Sequence, residues 1–408
     1  MKTKQVDYKF FFAWLFLVVF WMIMISSVSV FSSFRVTDSM FEKWLISESY
    51  NYFYVIRNII HVAISLILLW IITKIPYKFF YKNAKNIFVI ILVLLVFVLV
   101  KWATYKWASW WISIPWVPFN IQPTEFLKIS LILFLAYFFK INKNHLHKFK
   151  KWFIPFLWII GLVVALVWLQ PDFWTLMVIL PVSVIMFFLA WANIKHLLVM
   201  WLLWIVLIGW VYSAWDYDKQ TWKNLNTLWY ITQRIDNFLA DNETAIKNKS
   251  INYQTEQGLI AIWSWWVGGL WFWKSIQKFW YLPEVQGDFI FSVIIEELGF
   301  VWGFILISIY LFLWFRWFYI ASKVDDLFWK YSAFWISSWI LIQAFINIWV
   351  NLNIVPLTWI TLPFISYGGS SLLSLAIAVW ILLSISRDMQ EDSKYSRLIR
   401  KKMFNLKF

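Results

Sequence analysis

Ionisable residues that fall on apolar segments are the first places to look for chemistry in this chain. Residues 253–299 run from a polar stretch through a Trp/Gly-dense loop to Leu282-Pro283-Glu284, then to Asp288, and on into an apolar segment bearing adjacent Glu296 and Glu297. Lys274 and Lys278 stand on the loop. An acid at the mouth of a membrane helix, behind a basic loop, suits proton transfer at a membrane surface. The plain role for Asp288 is a helix N-cap, because Asp there accepts backbone N–H bonds; the alternative is catalysis. Glu296 and Glu297 lie two turns into the expected helix, and a charge within a span is costly unless it faces a cavity or a partner. Structural ion pairing and a catalytic role are both open for them. Helix geometry puts Glu296 about 80° round from Asp288 and about 12 Å below it, so the two are not a stacked acid pair.

Three further groups carry possible chemistry. Gln122-Pro123-Thr124-Glu125 opens an apolar segment, and Lys128 lies one turn on from Glu125. As i,i+3 neighbours these two either neutralise one another or wall a cavity for an anionic head group. Gln170-Pro171-Asp172 reads as a tight turn with Asp172 as a cap, between two spans. Ile365-Ser366-Tyr367-Gly368-Gly369-Ser370-Ser371 interrupts the last apolar segment. Paired glycines there either let helices pack closely or break the helix where backbone lines a cavity. Gln343 and Asn347, four apart, share one helix face and suit interhelical hydrogen bonds.

The elements that hold these residues are membrane spans. The chain has 408 residues, 62% hydrophobic and only 14% charged, with a mean hydropathy of +0.69. Soluble domains are roughly 45–50% apolar and about a quarter charged. Ten spans are expected, at about 10–31, 54–73, 87–103, 123–139, 152–169, 173–192, 196–214, 288–315, 331–350 and 361–385. The fold class is therefore an all-α polytopic membrane protein, a single integral membrane domain over 1–408. Its one large extracytoplasmic loop, 215–287, lies between spans seven and eight. The first span reads as retained, with no small-residue cleavage site behind it.

Connections alternate in charge. Lys74, Lys78, Lys82 and Lys85 fall on one side, with Lys140, Lys143, Lys148, Lys150 and Lys151, then Lys195, then Arg316, Lys323 and Lys330, then the basic tail. The opposite short loops hold only Arg35, Lys43 and Lys106. The positive-inside rule then places both termini in the cytoplasm. Most of the net charge of +15 is explained by orientation, so membrane lipids, not nucleic acid, are the expected partners. The absence of cysteine excludes thiolate nucleophiles and disulfides, and the four His lack metal-ligand spacing.

Taken together, five segments resemble the SEDS family (shape, elongation, division and sporulation), the FtsW/RodA/SpoVE polytopic proteins. They are IQPTEFLK at 121–128, QPDFWT at 170–175, YQTEQGLIAI at 253–262, QKFWYLPEVQGDFIFSVIIEELGF at 277–300 and PLTWITLPFISYGGSSLL at 356–373. They fall in the family's order, from about residue 85 to 390. The resemblance implies polymerisation of lipid II into glycan strands outside the cytoplasmic membrane, beside a class B penicillin-binding protein as transpeptidase. It also implies that Asp288, the acid of the family's L-P-E-x-x-x-D-F-I-F motif, is the essential one. Gln286 and Gly287 stand where the family commonly has His-Thr. In that reading Asp288 is general base to an acceptor hydroxyl. Lys128, Lys274 and Arg234 offset pyrophosphate charge, a task a divalent cation could share. Glu125, Asp172, Glu296, Ser366 and Tyr367 complete the expected substrate site, and lipid tails lie in the groove that spans two to four help to form. QPDF and QKFWYLPE lean toward the FtsW/SpoVE side. The rivals are a lipid-linked precursor flippase and a non-enzymatic scaffold.

Tryptophan and glycine are out of proportion: 35 Trp against 10 Gly. Family members usually carry Gly where this chain has Trp116, Trp174, Trp263, Trp265, Trp271, Trp273, Trp359 and Trp380. An interfacial aromatic belt would account for some Trp, but Trp158, Trp335 and Trp339 fall away from the expected interfaces. The expectation is that many of these are UGA codons specifying Gly, as some bacterial lineages read them. Pooled, the two residues come to about 11% of the chain, against an ordinary glycine share of about 7%.

Overall fold

The computed structural model describes residues 7–75, 78–100, 112, 120–145, 149–170, 172–189, 202, 234, 238, 249–264, 267–279 and 281–405. The expected seventh span and most of the 215–287 loop lie outside them, as do Trp116, Trp265 and Pro171. The described helices are α1 (Tyr8–Val28), α2 (Val30–Glu42), α3 (Phe53–Lys74), α4 (Lys78–Val100), α5 (Pro123–Ile141), α6 (Ile154–Leu169), α7 (Phe173–Leu189), α8 (Lys249–Trp263), α9 (Ile290–Leu298), α10 (Phe300–Lys323), α11 (Leu327–Asn351) and α12 (Gly369–Asn405). Among the described residues, seven helices are long and apolar enough to cross a membrane. A helical chain suits that setting, because each helix satisfies its own backbone.

Charged residues at helix ends fix how the bundle is tied. Asp7 caps α1 by accepting from the Phe10 amide at 3.1 Å, and its carboxylate pairs with Arg316 of α10 at 2.7 Å. Lys140 in the last turn of α5 reaches Asp326, the N-cap of α11, at 2.6 Å. α11 and α12 are the most buried of the spanning helices, and α11 packs against α5, α7 and α10.

Three boundaries differ from the sequence reading, each for a local reason. The first span ends at Val28, and α2 starts after Ser29. The span expected at 288–315 is two helices, α9 and α10, broken at Gly299 with φ +83°. A Cβ at Gly299 would lie 2.2 Å from the Val267 carbonyl oxygen, so the loop ahead of α9 sits directly on the break. The last span begins at Gly369 and not at 361. The preceding segment 352–368 is non-helical, and its burial is concentrated at 360–366. Its carbonyls are met by α11: Gln343 donates to Thr361 at 3.1 Å and Asn347 to Ile360 at 2.8 Å. Of the two readings of the paired glycines, the structure shows the broken helix.

Candidate active site

Asp288 lies on the loop ahead of α9, outside the spanning helices. The N-cap of α9 is Phe289, with no side-chain cap bond, and the Asp288 carboxylate makes no hydrogen bond among the described residues. That removes the bland reading of Asp288 as a cap, and it corrects the helical angle expected between Asp288 and Glu296. The backbone of Asp288 is held from α11 instead. Asn347 and Asn351 donate side-chain amides to its carbonyl at 3.0 and 2.8 Å. Asn351 also accepts from the amide and hydroxyl of Ser292, at 3.1 and 2.7 Å. From the other side, Ser366 donates to the Gly287 carbonyl at 2.5 Å, and the Tyr367 amide donates to the Gln286 carbonyl at 2.8 Å. The main chain is fixed on both sides, while among the described residues no hydrogen bond holds the carboxylate.

Electrostatics raise the Asp288 carboxyl to about 7: burial contributes most, the Glu284 charge adds to it, and the Arg234 charge opposes. Arg234 is buried, donates to the Leu357 carbonyl, and lies over the rings of Trp359 at 4.9 Å and Trp174 at 5.4 Å. A base poised near neutral pH beside a cation suits deprotonation of a hydroxyl near a departing anion.

The paired glutamates of α9 face inward and grip the loop. Glu296 accepts from the Ser275 hydroxyl at 2.5 Å and from the amides of Ile276 and Gln277 at 2.9 and 3.2 Å. Glu297 pairs with Lys278 at 2.8 Å, both fully buried, and accepts from Ser27 of α1 at 2.6 Å. Lys278 also donates to Ser27 at 3.0 Å and to the Trp273 carbonyl at 2.7 Å. Lys274 stands exposed on the same loop.

Lys128 and Glu125 pair at 2.7 Å, almost fully buried. Lys128 also donates to Gln343 at 3.1 Å, and Ser374 of α12 donates to Glu125 at 3.3 Å. Gln343, Asn347 and Asn351 form one stripe on α11, each one turn or about 6 Å from the next. The Lys128 pair and the Asp288 main chain are thus held by a single helix face. Asp172 accepts from the amide and hydroxyl of Thr175 at 3.2 and 2.7 Å, the local capping geometry of the turn reading.

The family model described as a cell cycle protein, covering FtsW, RodA and SpoVE, matches residues 8–391. The chain belongs to the FtsW/RodA/SpoVE family. It is 33% identical over 340 residues to stage V sporulation protein E of Bacillus subtilis, covering 83% of this chain and 88% of that one. It is 31% identical over 342 residues to a probable peptidoglycan glycosyltransferase FtsW of Geobacter sp. (strain M18), with 83% and 88% covered. In fold it matches a chain of a peptidoglycan synthase complex, with a TM-score of 0.70, 22% identity, and 94% and 98% covered. It also matches the rod shape determining protein RodA of Thermus thermophilus, with a TM-score of 0.64, 22% identity, and 94% and 97% covered.

For this member of the FtsW/RodA/SpoVE family, the structure brings Asp288, Arg234, Ser366 and Tyr367 together. It sets Lys128–Glu125 one turn of α11 away, Glu296 in the loop grip, and Asp172 at the head of α7. Sequence reasoning missed Asn351, although one more step of the Gln343–Asn347 spacing reaches it. It also missed Ser27, for which no spacing gives a signal, since 270 residues separate it from Glu297. Among the described residues no three His, Cys, Asp or Glu converge to hold an ion.

Proposed function

We propose that the protein is a peptidoglycan glycosyltransferase that polymerises lipid II at the outer face of the cytoplasmic membrane, working beside a class B penicillin-binding protein. The observation that carries this reading is the Asp288 carboxylate: without a hydrogen bond among the described residues, poised near neutral pH, and presented by a main chain pinned from two sides. Asp288 takes the proton of an acceptor sugar hydroxyl. The hydroxyl oxygen then attacks the anomeric carbon of the lipid-linked sugar, and the bond to the pyrophosphate oxygen breaks. The electron pair leaves with the pyrophosphate, whose added charge Arg234 offsets. Lys128, buried and paired, serves this site through Gln343 and the α11 stripe. Both termini are cytoplasmic in this arrangement.

Purified protein given labelled lipid II tests the reading. Polymer is expected, and Asp288→Asn, which keeps shape, should reduce it at least ~100-fold, the low end of general-base contributions. Translocation of lipid II without polymer would make the protein a flippase, and neither activity would make it a scaffold. Full activity of the Asn variant would remove Asp288 as the base.

A further inference from the structure

Six non-glycine residues among those described adopt left-handed backbone, and three of them are tryptophan: Trp44 at φ +61°, Trp271 at +78° and Trp273 at +73°. L-residues avoid this region because Cβ crowds the following carbonyl. They persist in it when their surroundings hold them there. Phe364 is so held, buried with 2% exposure, and Asn353 is a type that tolerates the conformation. The three tryptophans are 94%, 76% and 50% exposed. Little packs on these indoles to offset the strain.

The backbone at these positions is, by contrast, fully used. Trp44 follows the C-cap of α2, its amide donating to Phe41 at 2.9 Å while Leu45 donates to Met40 at 2.9 Å. That is the pair of bonds of a Schellman motif, whose left-handed residue is usually glycine. α11 closes the same way, with Asn353 in that place. On the loop, the Trp271 carbonyl accepts from the Lys274 amide at 3.1 Å. The Trp273 carbonyl accepts from the Lys278 ammonium at 2.7 Å, the same ammonium that pairs with Glu297. Gly269, φ +66°, lies two residues before Trp271, and a Cβ there would meet the Glu297 carbonyl oxygen at 2.4 Å. Left-handed positions therefore recur at 269, 271 and 273, and they lay the loop onto α9.

We infer that positions 44, 271 and 273 are glycine in the working protein, and that the left-handed turns at 271 and 273 position the catalytic loop by aiming the residue-273 carbonyl at Lys278. A single cause fits all three and the 35-to-10 imbalance of Trp over Gly: UGA codons that the source reads as glycine.

Residue identity is tested without any activity. UGA codons at the three positions and glycine masses in peptides of the native protein are expected; UGG codons or tryptophan masses overturn the inference. The positioning half rests on the glycosyltransferase reading. It compares the Trp chain with Trp271→Gly/Trp273→Gly and Trp271→Ala/Trp273→Ala for kcat, KM and thermal unfolding. Both pairs remove the indoles, but only glycine relaxes the backbone. The glycine pair is expected to exceed the alanine pair in kcat by about tenfold or more, with KM little changed. Trp44→Gly, remote from the loop, should raise the unfolding temperature and leave kcat unchanged. Equal kcat and equal unfolding temperature for the glycine and alanine pairs would overturn the positioning role. If no variant polymerises, the glycosyltransferase reading fails, and unfolding temperature alone decides whether these positions demand glycine.

Discussion

At the residue scale, the proposal that Asp288 is the base makes its protonation the control of rate. The group works as a base only when ionised, and its carboxyl is raised to about 7 by burial and Glu284 against Arg234. Polymerisation should therefore be low in acid, rise through about pH 7 and level off above it. Glu284→Gln removes the like charge and should move this limb to lower pH; Arg234→Met should move it higher. A limb that stays in place in both variants would mean that another group titrates. The Lys128–Glu125 pair calls for a different experiment. Lys128→Met leaves Glu125 buried and unpaired, at a cost of about 3–5 kcal/mol, so folded yield should fall. Adding Glu125→Gln removes that charge and should restore yield. Polymerisation that recovers along with it would make the pair purely structural.

α9 is the element on which the site turns. Only nine residues long, it is held at its head through the Asp288 carbonyl and at its tail through Glu296 and Glu297. Gly299 lets the chain leave it under the Val267 carbonyl. Gly299→Ala combines a backbone at φ +83° and ψ 171°, a region open essentially to glycine and costing other residues about 1–3 kcal/mol, with a backbone clash that no side-chain rotation relieves. Thermal unfolding should drop by more than the conformational cost alone. Asn351→Leu is a milder cut, taking from Asp288 one of its two carbonyl donors and from Ser292 its acceptor. Its expected signature is a lower kcat with the acid limb unmoved, because no charge near the carboxylate changes.

For the molecule as a whole, the absence of cysteine makes orientation directly measurable. Single cysteines at Lys82 and Lys274, both exposed, should report opposite sides. Lys274→Cys should react with an impermeant thiol reagent in intact cells, and Lys82→Cys only after the membrane is opened. The reverse pattern would place Asp288 and its loop on the cytoplasmic side, away from the glycan strands it is proposed to make.

The amino-acid sequence alone was enough for the membrane class, the family and most of the described helices. Spans follow from run length and hydropathy, which are local properties, and Asp288 stands in a contiguous motif. Gln343 and Asn347 were legible as one face because helical spacing is local too. What the sequence could not supply is which groups meet across hundreds of residues. Glu296 and Glu297 look alike in the chain, yet one takes the Ser275 hydroxyl and the amides of Ile276 and Gln277 and the other takes Lys278 and Ser27, because adjacent positions on a helix point about 100° apart. The break at Gly299 and the non-helical segment at 352–368 were likewise hidden in hydropathy, since an apolar run scores the same whether or not its backbone is helical. Only the packed structure showed that Asp288 is not a cap. That distinction depends on where its carboxylate points once α11 has taken hold of its carbonyl.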